Sequence, residues 1–349
     1  MGCHIIKQNQ TTSKFNMSYC NYQPLSHYKL SGVFYSLAIN STNSLLVVAS
    51  DCEIQIFYFK MGNLKQLQVI QLQAYNIYLL TFCKQKAFFL SAQSDSSLAI
   101  WNSNLISKPK FICKLFGHSK EIICIALHPL AEELIVTGSH DSLIKFWYIQ
   151  QRWYCRQTIS KHTDSVTSLI FHSTGNQLIS CSKDKSILIF EGSNQKLWQI
   201  KQHIQLPNYG YRSSYISNNM FIFHPNTDQD DFHLQIFKLN PSQQEYEEFF
   251  QILIKGKKQF CYYYFPCTYN NSKCIFLTKN GCFINILTII PSTVKSRFYF
   301  QLDQTIEFEN KYINGILSDD GDFLIIWDEE SEQLQIRQLQ QHIQTNFLQ

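Results

Sequence analysis

Apolar residues recur at every second position of this chain in short runs, and turns rich in Gly, Asn, Asp and Ser separate the runs. Alternation of that kind gives a strand two different faces, so it predicts β-structure. The clearest stretch is Gly117 to Glu191. Two segments there share one plan. Each has a histidine (His118, His162), an apolar run, a turn and a second run. An aspartate (Asp141, Asp184) follows, then a third run ending in an aromatic (Trp147, Phe190). The plan extends upstream. Aspartates at 51, 95, 141 and 184 are spaced by 44, 46 and 43, and Phe57, Trp101, Trp147 and Phe190 each stand six residues after one of them. Strands are predicted at Phe34–Asn40, Leu45–Ser50 and Glu53–Phe57, then at Ile77–Cys83, Ala87–Ser91 and Leu98–Trp101. A fixed period of this length means one supersecondary unit repeated along the chain.

Past Glu191 the signature fades while the alternation continues. Strands are predicted at Tyr211–Ser217, Met220–Phe223, Phe232–Leu239 and Glu245–Ile254. The next set is Phe260–Cys267, Lys273–Thr278, Cys282–Thr288 and Phe298–Leu302, around the turn Asn280-Gly281. Tyr312–Leu317, Phe323–Trp327 and Leu334–Leu339 end the series, one strand short of a full unit. Leu25–Leu30 is the strand left over, and it is assigned to that last unit as its missing strand, which covers an open edge.

The histidine, aspartate and aromatic at this period resemble the WD40 repeat family. The closing dipeptide departs from the family pattern, being Trp147-Tyr148 and Phe190-Glu191, and Trp327-Asp328 falls on a second strand. The resemblance implies an all-β fold: a single seven-bladed WD40 β-propeller over residues 25–349, four antiparallel strands per blade, closed by an N-terminal strand. Six or eight blades stay open where the repeats are degenerate. It also implies a structural network in each blade, in which aspartate fixes histidine, histidine meets a hydroxyl, and the hydroxyl meets an indole N–H. The matching sets are His118, Thr137, Asp141 and Trp147; His162, Ser180 and Asp184, with Phe190 unable to donate; and Ser91, Asp95 and Trp101, with no histidine ahead. As bare residue types these suggest a hydrolase triad, but a triad has no reason to recur at a repeat period.

Composition adds limits. The chain has 349 residues, 45% hydrophobic and 15% aromatic, with a formal net charge of +4. That charge is no footprint of nucleic acid. The twelve cysteines form no C-x-x-C pair and mostly sit in apolar runs, which points to reduced thiols and a cytoplasmic protein. The glycosylation sequons at Asn16 and Asn40 are read as chance matches without a signal peptide. No apolar run approaches the roughly 18 residues of a membrane helix. Residues 1–24 read as a flexible polar tail. Its start, Gly2-Cys3, invites N-terminal acylation, although Ile6 stands where a Ser or Thr belongs.

No phosphate-binding loop, metal-ligand spacing or nucleophile elbow is present in the sequence, so no cofactor and no catalysis are expected. His172 and His224 end strands and read as packing or loop residues. Tyr262-Tyr263-Tyr264-Phe265 reads as core before it reads as a binding surface. Loops and turns sharing one end of the ring carry Lys120, Lys161, Lys183, Lys185, Lys255, Lys257, Lys258 and Lys279. Such a face suits acidic or phosphorylated protein segments, though a lysine run also serves simply to solvate a loop. The resemblance implies a non-catalytic scaffold or adaptor in a multiprotein complex. The alternatives are an adaptor of cytosolic iron–sulfur cluster assembly and, more remotely, an enzyme using the propeller's top face.

Overall fold

The computed structural model describes residues 18–30, 32–72, 76–104, 111–227, 232–257, 265–291 and 298–343. Among them every regular element is a β-strand. The strands form seven four-stranded antiparallel sheets, the blades of a seven-bladed propeller.

Blade one is β2 (Phe34–Ile39), β3 (Leu45–Ser50), β4 (Glu53–Lys60) and β5 (Asn63–Gln71). Blade two is β6 (Ile77–Phe82), β7 (Phe88–Gln93), β8 (Leu98–Asn102) and β9 (Phe111–Leu115). Blade three is β10 (Ile122–Leu127), β11 (Leu134–Ser139), β12 (Ile144–Ile149) and β13 (Trp153–Ile159). Blade four is β14 (Val166–Phe171), β15 (Gln177–Ser182), β16 (Ser186–Glu191) and β17 (Gln199–Gln205). Blade five is β18 (Gly210–Ser217), β19 (Met220–Pro225), β20 (His233–Asn240) and β21 (Glu245–Leu253). Blade six is β22 (Thr268–Asn270), β23 (Ile275–Asn280), β24 (Phe283–Pro291) and β25 (Phe298–Glu307). Blade seven joins β26 (Ile313–Leu317), β27 (Phe323–Asp328) and β28 (Gln333–Ile343) to β1 (Ser18–Lys29) on its outer edge.

The core is divided. Seven hydrophobic clusters lie among the described residues, one at each seam between neighbouring blades. That division explains the sequence pattern. A second strand is covered on both faces by the adjoining blades, so β3, β7, β11, β19 and β27 are buried almost throughout. An outer strand such as β13 or β17 keeps one edge in solvent and reads as half polar. A bulge near the start of the first strand recurs in blades one to five, and bulges add the twist that a radial blade needs. The ring closes where β2 of blade one meets β26 of blade seven.

Two sequence expectations are corrected here. The closing strand is Ser18–Lys29, so residues 18–24 belong to a strand and not to a tail. Those residues are polar because β1 is an outer strand, and its ladder runs from Ser18↔Ile343 to Lys29↔Gln333. The described first strand of blade six is Thr268–Asn270; of the predicted Phe260–Cys267, residues 265–267 are not in a strand and residues 260–264 lie outside the described residues. Pro266 has no N–H to give a ladder, and pairing starts two residues beyond it. Residues 258–264, including Lys258 and Tyr262 to Tyr264, lie outside the described residues, as do Gly2 and Cys3. Trp327-Asp328 ends β27, a second strand, as the spacing predicts.

Candidate functional site

Antiparallel alternation places the loop entering each blade and that blade's second-to-third turn at the same end of the ring. We call this the upper end. The repeated histidines and aspartates sit there.

In blade three, His118 Nδ1 lies 2.9 Å from Asp141 Oδ2, and Nε2 lies 2.8 Å from Thr137 Oγ1. Trp147 Nε1 donates to the same Thr137 oxygen at 2.8 Å. Backbone amides of Ser119 and Leu143 donate to the Asp141 carboxylate. Burial, opposed by the Asp141 charge, holds His118 below the ordinary imidazole range. Burial also pulls Asp141 upward, but the Ser119 amide, His118 and the Leu143 amide outweigh it and its pKa falls. A neutral histidine therefore faces an ionised aspartate. Blade four repeats the arrangement with His162 Nδ1 at 2.8 Å from Asp184 and Nε2 at 2.7 Å from Ser180 Oγ. Phe190 is buried in place of the indole. Asp184 lies well below the carboxylate range: burial opposes ionisation, and hydrogen bonds from His162 and Ser186 override it.

Blade two keeps the indole step, Trp101 Nε1 to Ser91 Oγ at 2.9 Å. Position 73, the histidine's equivalent, lies outside the described residues. Asp95 is held instead by the Ser97 amide at 3.0 Å and by Lys114 Nζ at 3.5 Å, reaching in from the outer strand. Lys114 is a residue the sequence pattern does not single out. Thr137, Ser180 and Ser91 are all 0% exposed, so no substrate reaches these hydroxyls.

The predicted lysine face is only partly assembled. Lys120, Lys161, Lys185 and Lys255 are exposed at the upper end, and Lys183 is half-buried with its ammonium 5.9 Å from the Tyr211 ring centroid. Lys257 is exposed but ion-paired to Glu307 at 2.8 Å. Lys279 is a correction: it is 1% exposed, and its ammonium donates to the Lys311 carbonyl at 2.6 Å. It belongs to β23 and not to the turn after it, which is why it points inward.

A cleft, His128 and Glu132 escaped the sequence reading, whereas His172 and Phe265 fit the packing and core roles it gave them. A cleft of about 650 Å³ opens between blades six and seven at the upper end, lined by Lys257, Glu307, Glu309, Asp328, Glu330 and Arg337 among others. Its signal was the acidic run Asp328-Glu329-Glu330-Ser331-Glu332. At the lower end, His128 and His172 follow their blades' first strands and reach into the next blade. Nε2 of each lies near a carbonyl oxygen there, Gly175 at 2.9 Å and Asn218 at 3.1 Å. The buried Glu132 carboxylate accepts the Lys84, Gln85 and Lys86 amides of blade two, a concave nest that suits an anion. Phe265 is buried in the seam between blades six and seven, and its carbonyl accepts from Arg212 Nε at 2.6 Å.

Comparison with known proteins agrees with this geometry. The family model of the WD domain, G-beta repeat, matches residues 109–148 and 153–191. Nuclear distribution protein nudF 2 of Penicillium rubens is 32% identical over 127 residues, 31% of this chain and 26% of that protein. Pre-mRNA-processing factor 19 of Bos taurus is 29% identical over 96 residues, 28% of this chain and 18% of that one. A probable cytosolic Fe-S cluster assembly factor of Schizosaccharomyces pombe is 28% identical over 106 residues, 30% and 17% of the two chains. The matches thus span about a quarter or less of these relatives' own length. A chain in a crystal structure of the mitotic checkpoint complex superposes with a TM-score of 0.71 at 14% identity, covering 97% of this chain and 98% of that chain. Two segments of the chain match the WD domain, G-beta repeat, and they lie within a seven-bladed β-propeller.

Proposed function

We propose that this propeller is a non-catalytic protein-interaction scaffold of the cytoplasm, and that partners engage its upper end. The observation that carries the reading is the use made of its polar chemistry. The His–Asp–hydroxyl sets are buried and internally satisfied, so they brace the loops and leave the exposed side chains to make contacts. Lys120, Lys161, Lys183, Lys185 and Lys255 are the side chains we assign to acidic or phosphorylated partner segments. Glu121 and Asp164 share their loops, and Asp141 keeps its charge beside a neutral His118. The lysines therefore steer encounter and set specificity more than they add affinity.

The test is reversal of Lys183 and Lys185 to Glu, followed by capture of partners from native cytosol at low and raised salt. Loss of binding, or a weaker salt dependence, supports the assignment. Unchanged binding at both salts sinks it. The matched control is Glu309→Lys with Glu330→Lys; if only that variant loses partners, the contact surface is the acidic cleft of blades six and seven. The iron–sulfur assembly reading has no separate support, since its likeness covers no more of the chain than the likeness to nudF 2 does.

A further inference from the structure

The closing strand is held on both edges. One edge of β1 pairs with β28. The other faces β25 of blade six, where side chains take the place of a ladder. Gln304 grips the Tyr22 backbone twice: the Tyr22 amide donates to Oε1 at 2.7 Å, and Nε2 donates to the Tyr22 carbonyl at 3.2 Å. Asp303 accepts the Cys20 amide at 3.3 Å and the Thr288 hydroxyl. The Tyr22 ring is fully buried, and its hydroxyl donates to the Gly321 carbonyl at 2.6 Å.

The same grip recurs at two other seams. Gln157 of β13 takes both backbone groups of Trp198, at 2.9 and 2.7 Å. Gln202 of β17 takes both of Tyr246, at 2.8 and 2.8 Å. In all three cases the glutamine sits at the bulge of its outer strand, opposite Phe146, Ile189 and Ile286. A bulge re-aims a side chain out of the pleat, here towards the next blade. Each gripped residue is a buried aromatic. One difference sets β1 apart. Trp198 precedes, and Tyr246 lies in, an outer strand that the chain joins directly to the third strand of its own blade, whereas β1 is joined directly to blade one and meets blade seven through its ladder.

We propose that β1 is a strap that opens separately from the rest of the ring, with Gln304 as its latch. Opening uncovers the edge of β28, a row of backbone donors and acceptors ready to pair with another strand. Native-state hydrogen exchange of the full chain tests this, because separately opening units exchange below the global stability. In the wild-type protein the β1 amides exchange faster than those of β27. In Gln304→Leu they exchange about thirtyfold faster again, the factor that two lost hydrogen bonds of ordinary net strength produce. The β27 amides speed up by no more than that factor and stay slower than those of β1, and Gln202→Leu leaves β1 unchanged. Equal protection of β1 and β27 in the wild-type protein overturns the strap, and an unmoved β1 rate in Gln304→Leu overturns the latch. If Gln304→Leu does not fold, Gln304→Glu serves, since it keeps the acceptor for the Tyr22 amide and loses the donor. Its β1 rate then rises if the latch holds and stays at the wild-type value if it does not.

Discussion

Thr137 has one proton to give, and the tautomer of His118 fixes its destination. The Asp141 carboxylate only accepts, so neutral His118 keeps its proton on Nδ1 and its Nε2 accepts from the Thr137 hydroxyl, whose oxygen accepts from the Trp147 indole. Removing the carboxylate orphans the Nδ1–H and the amides of Ser119 and Leu143, so Asp141→Ala costs about 1–3 kcal/mol and lowers the melting temperature. Glu133→Ala is the comparison, because its carboxylate is exposed and only 3.7 Å from an exposed Lys86. Its melting temperature stays near the wild-type value, as exposed pairs contribute little. Equal melting temperatures for the two variants count against the network. One residue away the outcome changes: Glu132→Ala orphans the Gln85 and Lys86 amides and destabilises by a similar 1–3 kcal/mol. The sequence made Asp141 legible because its spacing repeats. It hid Glu132, whose neighbour is the same residue type and whose partners are backbone groups with no side-chain signature.

An element was legible here in proportion to how evenly its two faces are buried. Second strands covered on both sides are near-continuous apolar runs, and Leu45–Ser50 and Phe323–Asp328 stood out for that reason. Outer strands do not: residues 18–24 of β1 read as a polar tail until the ladder with β28 is seen, and only the part from Leu25 on was legible as a strand. The blade count was open for the same reason, since blades five to seven lack the repeated histidine and keep only their alternation. Deletion tests the reading. Removing residues 1–17 leaves every residue of β1 and gives a soluble, cooperatively melting protein. Removing residues 1–29 exposes the β28 edge together with the apolar surface around Tyr22, and gives insoluble or loosely packed protein. If the chain lacking 1–29 melts like the full one, closure by the N-terminal strand is wrong.

The whole molecule is seven seams, and several are pinned by neutral buried histidines. Burial lowers the pKa of His118, His128, His140 and His172 from 6.5, and that of His224 to about 3. The unfolded chain takes up those protons first, so stability is complete above pH 6.5 and falls as the pH drops towards the lowered values. Asp141 and Asp184 act in the same direction further down, losing their contribution as the pH falls below 3.8. Asp303 acts oppositely, since burial raises its pKa and the folded state holds that proton more tightly. Five histidines against one carboxylate decide the sign. The melting temperature is level between about pH 7 and pH 8 and declines from about pH 6 towards pH 4; a level profile across the lower range contradicts the buried-neutral assignment. The face that binds is the central claim. Lysines stand at both ends of the ring, Lys120, Lys161, Lys183 and Lys185 above and Lys84, Lys86 and Lys273 below. Amine-reactive crosslinking of a captured partner, mapped by mass spectrometry, therefore reads the face directly. The account predicts partner crosslinks at Lys120, Lys161, Lys183 and Lys185; crosslinks confined to Lys84, Lys86 and Lys273 contradict it.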